Sequence, residues 1–320
     1  MSPIIKNKKG VNTNQLKRQV HKDGFGRIYR DTGITNCIAN RHIDPYGRGC
    51  YYNCSYCYGK AIMIARNRWF PNNPGVADIK DIAEVIRKHF PKGSVARLGG
   101  LSDPFQPVEK THRLTYKTIQ LLNRKGVHYL VVTKSPLVAS QEYMDIYDKD
   151  LAHFQISLTS TDNDFLSRIS PRVPTFEETR DTIETLYENG FDTIIRASPF
   201  FYEHMDYDKL NSINCDKINI EFLYYNYNIR KYCGKYIDLS EYTFCDEEAK
   251  GYKIFTLPIE KQLKEIEKIT GFKELNMCNG FPALKEYYRE HINCNKEFCC
   301  NLRGVTKANA VGTQLFDKKI

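Results

Sequence analysis

The sequence predicts an α/β protein made of βαβ units and folded as a full or partial (β/α) barrel. Three observations lead there. Apolar runs of strand length alternate with stretches of helical periodicity between about residues 94 and 222. Glycines punctuate the ends of these elements, and 320 residues suit one barrel with modest extensions. Strands that alternate with helices pair in parallel, and this many repeats favour a barrel over an open sheet.

The elements follow in order. Ser94–Leu98 reads as a short strand closed by Gly99-Gly100, and helical periodicity then runs from about Val108 to Lys125, where Gly126 stops it. His128–Thr133 is a strand of the fully buried type, followed by a helical stretch near Ser140–Asp148 and a third strand at His153–Leu158. Thr175-Phe176-Glu177-Glu178 has the form of a capping box opening a helix to Glu188, with Gly190 at its end. Thr193–Arg196 and Lys217–Phe222 continue the strand series. From Tyr224 to Tyr252 the pattern breaks into seven tyrosines mixed with Arg230, Lys231 and Lys235, which reads as an insertion or lid. Helical periodicity resumes at Ile259–Ile269 and near Pro282–His291. The expected division is a basic arm over 1–30, a barrel over 31–223 and a tyrosine- and cysteine-rich extension over 224–320.

Composition narrows the function classes. Hydrophobic residues make up 41% and charged residues 27%, which excludes collagen-like and wholly disordered chains. Apolar runs such as Val127–Val132 are far too short to span a bilayer, and the first residues lack an apolar signal core, so a cytoplasmic protein with no membrane partner is expected. Net charge is +9, of which residues 1–30 carry +7: eight Lys and Arg against the single Asp23. A basic arm on a near-neutral body suits either a nucleic-acid footprint or a solvated leader. Eleven cysteines in a reducing compartment point to metal binding or catalysis before disulfides.

Cys50, Cys54 and Cys57 lie at Cys-x3-Cys-x2-Cys spacing behind Gly47 and Gly49. A loop of that length can wrap three thiolates round one soft metal centre, and three close ligands suggest a cubane iron–sulfur cluster with one iron left open. A zinc site would need a fourth ligand, for which His42 is the nearest candidate.

The spacing with Tyr56 before the last cysteine resembles the motif of radical S-adenosylmethionine (SAM) enzymes. Asp44-Pro45-Tyr46, Gly49-Cys50 and Tyr56-Cys57-Tyr58 resemble spore photoproduct lyase-like members more closely. So do Ser102-Asp103-Pro104-Phe105-Gln106-Pro107-Val108-Glu109, Thr133–Leu137 and Ile169–Pro174, in family order and spacing. The resemblance covers roughly residues 40–200. It implies a partial (β/α)6 barrel and a [4Fe–4S] cluster on Cys50, Cys54 and Cys57, with SAM on the fourth iron. It also implies reductive cleavage of SAM to a 5′-deoxyadenosyl radical, with an electron donor such as flavodoxin or ferredoxin. Tyr56 would lie beside the adenine, Gly99 and Gly100 would meet the SAM amino group, and Ser102, Lys134 and Ser157 would meet its other polar groups. Tyr58 and Arg172 are the catalytic candidates, while Asp103, Glu109 and Arg196 are as well suited to structural ion pairs. In the lyases a cysteine just before the Ser-Asp-Pro step returns a hydrogen atom to the repaired thymine. Leu101 stands there in this chain, which implies a different substrate or outcome.

Cys278, Cys294, Cys299 and Cys300 are candidates for a second metal site, or are small buried hydrophobes. Tyrosines beside lysines suit the stacking of unpaired bases as well as the packing of a lid. The expected function is hydrogen abstraction from a nucleic acid or nucleoside, DNA ahead of RNA. Alternatives are the same chemistry on a peptide or protein, or a non-catalytic zinc or iron–sulfur nucleic-acid-binding protein.

Overall fold

The computed structural model describes residues 29–32, 37–65, 67, 69–249, 252–278 and 300–306. Residues 1–28, the helical stretch expected near Pro282–His291, and Cys294 and Cys299 lie outside them. The chain runs through β1 (Tyr29–Asp31), β2 (Arg41–Ile43), α1 (Tyr58–Ala65), α2 (Ile79–His89), β3 (Val95–Leu98), α3 (Glu109–His112) and α4 (Leu114–Lys125). It continues through β4 (His128–Thr133), α5 (Gln141–Met144), β5 (Ala152–Ser157), α6 (Asn163–Ile169), α7 (Phe176–Glu188), β6 (Asp192–Phe200), α8 (Tyr207–Asn211) and β7 (Lys217–Phe222). Then follow α9 (Tyr227–Cys233), the hairpin β8 (Thr243–Ala249) and β9 (Tyr252–Thr256), α10 (Ile259–Ile266) and β10 (Glu274–Met277).

One sheet has the order β1-β2-β3-β4-β5-β6-β7-β10. Strand β1 is antiparallel to β2, and every later neighbour is parallel. Among the described residues the edges β1 and β10 do not pair with each other, and the sheet there forms a partial barrel. Two details differ from the expectation. Tyr29 and Arg30, at the end of the basic stretch, join the sheet, and β10 extends it beyond the extension's expected start.

The period-2 alternation of the strands separates two faces. Ala96, Leu98, Tyr129, Val131, Phe154, Ile156, Ile195, Ala197, Ile218 and Ile220 pack outward in one core with Ile82, Ile86, Ile119, Leu122, Ile183 and Leu186 of the covering helices. The opposite face carries Arg97, Gln155, Arg196, Asn219 and Glu221, and is far more polar. The segment 300–306 crosses the strand starts, where the Arg303 amide donates to Asp192 at 2.8 Å and Lys217 to the Asn301 carbonyl at 3.0 Å.

The helix after β3 is interrupted. Arg113 takes the left-handed conformation (φ 52°) between α3 and α4, so the single helix read over Val108–Lys125 is two. The reason is the fully buried carboxylate of Glu109. It accepts the Thr115 and Tyr116 amides of the first turn of α4 at 2.9 Å each, and the hydroxyls of Tyr46 and of Tyr143 (2.6 Å). A carboxylate there satisfies donors that a helix start leaves orphaned. Glu109 is thus a structural residue, and Glu109→Ala, which strands these buried donors, should lower the unfolding free energy by about 3 kcal/mol or more. Denaturant unfolding checks it; a variant as stable as the parent would refute the assignment.

Candidate cofactor site

The loop that leaves the C-terminal end of β2 carries Cys50, Cys54 and Cys57 to the start of α1. It is fastened on both sides: the Phe70 amide donates to the Arg48 carbonyl at 2.8 Å, and the Ser55 amide to Ile169 of α6 at 3.0 Å. Gly49, at φ +152°, lies so close to this strap that a Cβ would sit 2.7 Å from the Phe70 backbone. Turns from Asn53 to Cys50 and from Cys57 to Cys54 fold the loop back on itself. Cys54 is buried, and half-buried Cys50 and Cys57 pack against the same apolar cluster, which holds Tyr52, Tyr56, Phe165 and Phe201.

Burial pushes the Cys50 and Cys57 thiols up, helped by Asp103 at Cys50 and by Cys54 at Cys57. Thiols held up in this way become thiolates only beside concentrated positive charge, which is what a soft metal centre provides. Among the described residues, no three His, Cys, Asp or Glu side chains converge closely enough to chelate one ion. His42, the candidate fourth zinc ligand, is engaged elsewhere. Its Nδ1 meets the Arg30 guanidinium at 3.1 Å, and burial, Arg97 and Arg30 push its pKa down to about 2.

Two buried carboxylates join the strand ends round this loop. Asp44 accepts the Gly100 and Leu101 amides at 2.9 and 3.0 Å, tying the end of β2 to the turn after β3. Asp103 accepts the Phe105 amide (2.9 Å), the Thr133 hydroxyl (2.7 Å) and the Lys134 amide (2.7 Å), tying that turn to the end of β4. The ammonium of Lys134 is thereby aimed at the Tyr56 ring, 5.8 Å from its centre. Burial lowers its pKa, but Tyr56, Cys54 and Asp103 outweigh that and hold it above the ordinary lysine value.

The other sequence candidates are placed as follows. Tyr56 is buried, edge-on to Phe201. Tyr58 is exposed and its hydroxyl donates to the Gly100 carbonyl at 2.7 Å. Gly99 (φ +91°) and Gly100 leave no room for a Cβ, which would meet the Val132 carbonyl at 2.4 Å and His42 at 2.2 Å. The structure thus requires these glycines for packing between strands. The Ser102 hydroxyl donates to the Tyr46 carbonyl, and Ser157 lies half-buried at the end of β5 in register with Arg196. Arg172 donates to the Tyr51 carbonyl (3.2 Å) and to Asn72 (3.0 Å) while lying over the Tyr51 ring, so it clamps the outside of the cysteine loop. Arg196 pairs with Glu221 at 3.1 Å on the inner face. Sequence reading gave Asp44 no role of its own; its place in Asp44-Pro45-Tyr46 was the signal. The tyrosine-rich segment packs over the loop, with Tyr225, Cys233 and Ile237 in the same apolar cluster as Cys54 and Tyr56. Of its tyrosines with described side chains, Tyr227 is the one strongly exposed.

The chain is similar to known proteins in sequence and in fold. The chain is 27% identical over 173 residues to an uncharacterized protein of Methanocaldococcus jannaschii, covering 53% of this chain and 62% of that one. It is 26% identical over 164 residues to an uncharacterized protein of Acidianus two-tailed virus, covering 48% and 54%. The matches thus span less than two thirds of either relative. A spore photoproduct lyase complexed with dinucleoside spore photoproduct has a similar fold, with a TM-score of 0.59 at 12% identity over 83% of both chains. A variant of that enzyme with bound AdoMet and the same dinucleoside gives 0.58 at 12% identity over 83% of both. The model of the radical SAM superfamily matches residues 45–210, from the cysteine loop through α8 and more than half of the chain. The family model thus spans the cysteine loop and most of the parallel sheet, and the chain belongs to the radical SAM superfamily.

Proposed function

We propose that this chain holds a [4Fe–4S] cluster on Cys50, Cys54 and Cys57, binds SAM beside it, and removes a hydrogen atom from a nucleic acid or nucleoside, DNA ahead of RNA. The observation that carries the reading is the meeting of the three thiols with Tyr56 and the Lys134 ammonium at the C-terminal strand ends. Cluster and SAM together supply one-electron cleavage of a carbon–sulfur bond and the carbon radical that takes the hydrogen atom. The chain's own residues bind, orient and exclude water. Lys134 offers its charge to the SAM carboxylate, in a site where the backbone of that lysine is already fixed by Asp103. Tyr56 presents an aromatic face, and the apolar cluster of Tyr52, Phe165, Phe201, Leu223 and Tyr225 keeps water from the reacting atoms. Arg172 and Tyr58, the catalytic candidates, hold the loop and the turn after β3 in place.

Two features support a nucleic-acid substrate: the +7 charge of residues 1–30, and the dinucleoside bound by the lyase of similar fold. The electron would come from a small redox protein such as flavodoxin or ferredoxin. No helix among the described residues is long and apolar enough to cross a membrane. Leu101, on the turn pinned by Asp44, brings no thiol to the place where the lyases carry their hydrogen-donating cysteine. The product should then differ from a repaired thymine pair.

Two outcomes are expected. Lys134→Ala should weaken SAM binding about tenfold, the equivalent of one lost charge-assisted contact, while leaving the cluster's visible absorption intact. Equal affinity in titration calorimetry would remove Lys134 from the site. Reduced, reconstituted protein given SAM and a perdeuterated oligonucleotide should place deuterium in the 5′-deoxyadenosine formed. Deuterium arriving only from a labelled peptide would replace the nucleic acid by a protein substrate.

A further inference from the structure

Residues 45–77 hold four Lys and Arg and no Asp or Glu, and residues 222–237 hold three and none. The fold draws parts of both segments onto the outer side of the cysteine loop. Trp69 Nε1 donates to Asn53 Oδ1 and Lys60 Nζ to the Asn53 carbonyl, both at 3.3 Å, so Asn53 joins the strap at Phe70 to the first turn of α1. Lys60 in turn lies 5.8 Å from the centre of the Tyr232 ring, where α1 packs beside α9. At the other side of the strap, Arg48 lies 5.5 Å over the Phe70 ring and Arg172 4.9 Å over Tyr51.

The described partners of these cations are carbonyls, an amide side chain and ring faces, which leave the positive charge uncancelled. On α9 and just beyond it, Arg230, Lys231 and Lys235 are exposed, while Cys233 and Ile237 turn inward to the cluster of Cys54 and Tyr56. Tyr51, Tyr58, Ile62 and Phe70 are exposed among the cations. Apolar side chains set among charges of one sign make a docking face for an acidic partner. Nucleic acid carries that sign too, and the position of the face decides between them. The Lys60 amide donates to Cys57 Sγ at 3.4 Å, so that sulfur is one hydrogen bond from the exposed helix α1. Hydrogen abstraction needs the reacting atoms about 3–3.5 Å apart, yet Tyr56, beside Lys134, is buried on the inner side of α9. An electron needs no such contact. A face outside the loop suits an electron carrier better than the substrate.

We propose that this face, from Arg48 and Phe70 across α1 to Lys235, docks an acidic one-electron carrier protein; the inference rests on the cluster proposed for Cys50, Cys54 and Cys57. One electron leaves the reduced carrier, which is thereby oxidised, and enters the cluster beside Cys57, which is thereby reduced. No atom passes between the two proteins. Electron-transfer interfaces are small and weak, with charge steering the encounter, so affinity should fall as salt screens the face.

The test is binding of an oxidised carrier to the reconstituted full-length protein, with neither SAM nor substrate present. The probes are a flavodoxin and a plant-type ferredoxin, both of acidic net charge, titrated by calorimetry at low and high salt. The parent should bind at least one of them, more weakly as salt rises. Arg230→Glu/Lys231→Glu/Lys235→Glu should weaken that binding about tenfold or more, and Ile62→Glu should weaken it too. Lys80→Glu/Lys110→Glu/Lys117→Glu reverses three exposed charges on α2, α3 and α4 and should bind as the parent does. Failure of the parent to bind either carrier would overturn the proposal, as would an α9 variant that binds like the parent or loses no more than the control. An α9 variant that loses a single-stranded oligonucleotide but keeps the carrier would give the face to nucleic acid instead. Dithionite separates this proposal from the cluster assignment. With dithionite as reductant the α9 variant should form 5′-deoxyadenosine at the parent's rate, and with the carrier as reductant it should be slowed about tenfold or more; equal rates with the carrier would overturn the proposal. No 5′-deoxyadenosine from the parent with dithionite would instead count against the cluster assignment, while carrier binding would still be read directly.

Discussion

Asp103 is the constraint on which the site depends. Its carboxylate is buried, and burial raises its pKa even though Thr133, Lys134 and Phe105 all donate to it. A carboxylate in that position is tolerable only because each oxygen is met by a donor. Through those donors it fixes where β4 ends relative to the turn after β3, and so where Lys134 stands relative to Cys54 and Tyr56. Asp44 does the same one strand earlier, and Gly99 and Gly100 let the backbones approach closely enough for both. Three strand ends are thus locked together before any cofactor is considered, a rigid frame of the kind that positioning reacting groups requires.

The two ends of the barrel have been given different work. At the C-terminal ends of the strands, loops carry thiols, an ammonium and aromatic rings, the usual distribution in barrel enzymes. At the other end, Asp192 is held by His153 (2.6 Å) and Lys217 (2.9 Å) and accepts the Arg303 amide, which fastens residues 300–306 beneath the sheet. Burial raises the Asp192 pKa, but His153 and Lys217 outweigh it and bring the value down to about 2. That fastening is what delivers Cys300 to the interior.

Much of this was legible in the sequence because it is local. Strands β4 and β7 were read residue for residue from their apolar runs, and the Thr175–Glu178 capping box forms with both of its bonds. The cysteine loop was legible because its ligands are neighbours in sequence. What was not legible depends on distant partners. Arg113 breaks the helix to serve Glu109, and nothing about an arginine announces a left-handed residue. Strand β10 is four residues long and exists through its pairing with β7. Cys37, Cys278 and Cys300 share one small apolar cluster only once the sheet has formed, and no spacing in the sequence announces it. The roles read for Ser102, Gly99 and Gly100 illustrate a related limit, since strand-end positions fit a cofactor and interstrand packing equally well in sequence.

The most direct test of the central claim is to reconstitute the protein anaerobically with iron and sulfide, reduce it with dithionite, add SAM, and measure 5′-deoxyadenosine. The account predicts broad absorbance near ~400 nm, typical of thiolate-bound iron–sulfur centres, with 5′-deoxyadenosine formed by the parent and none by Cys50→Ala. Intact SAM in the presence of the parent's assembled cluster, or undiminished cleavage by Cys50→Ala, would contradict it.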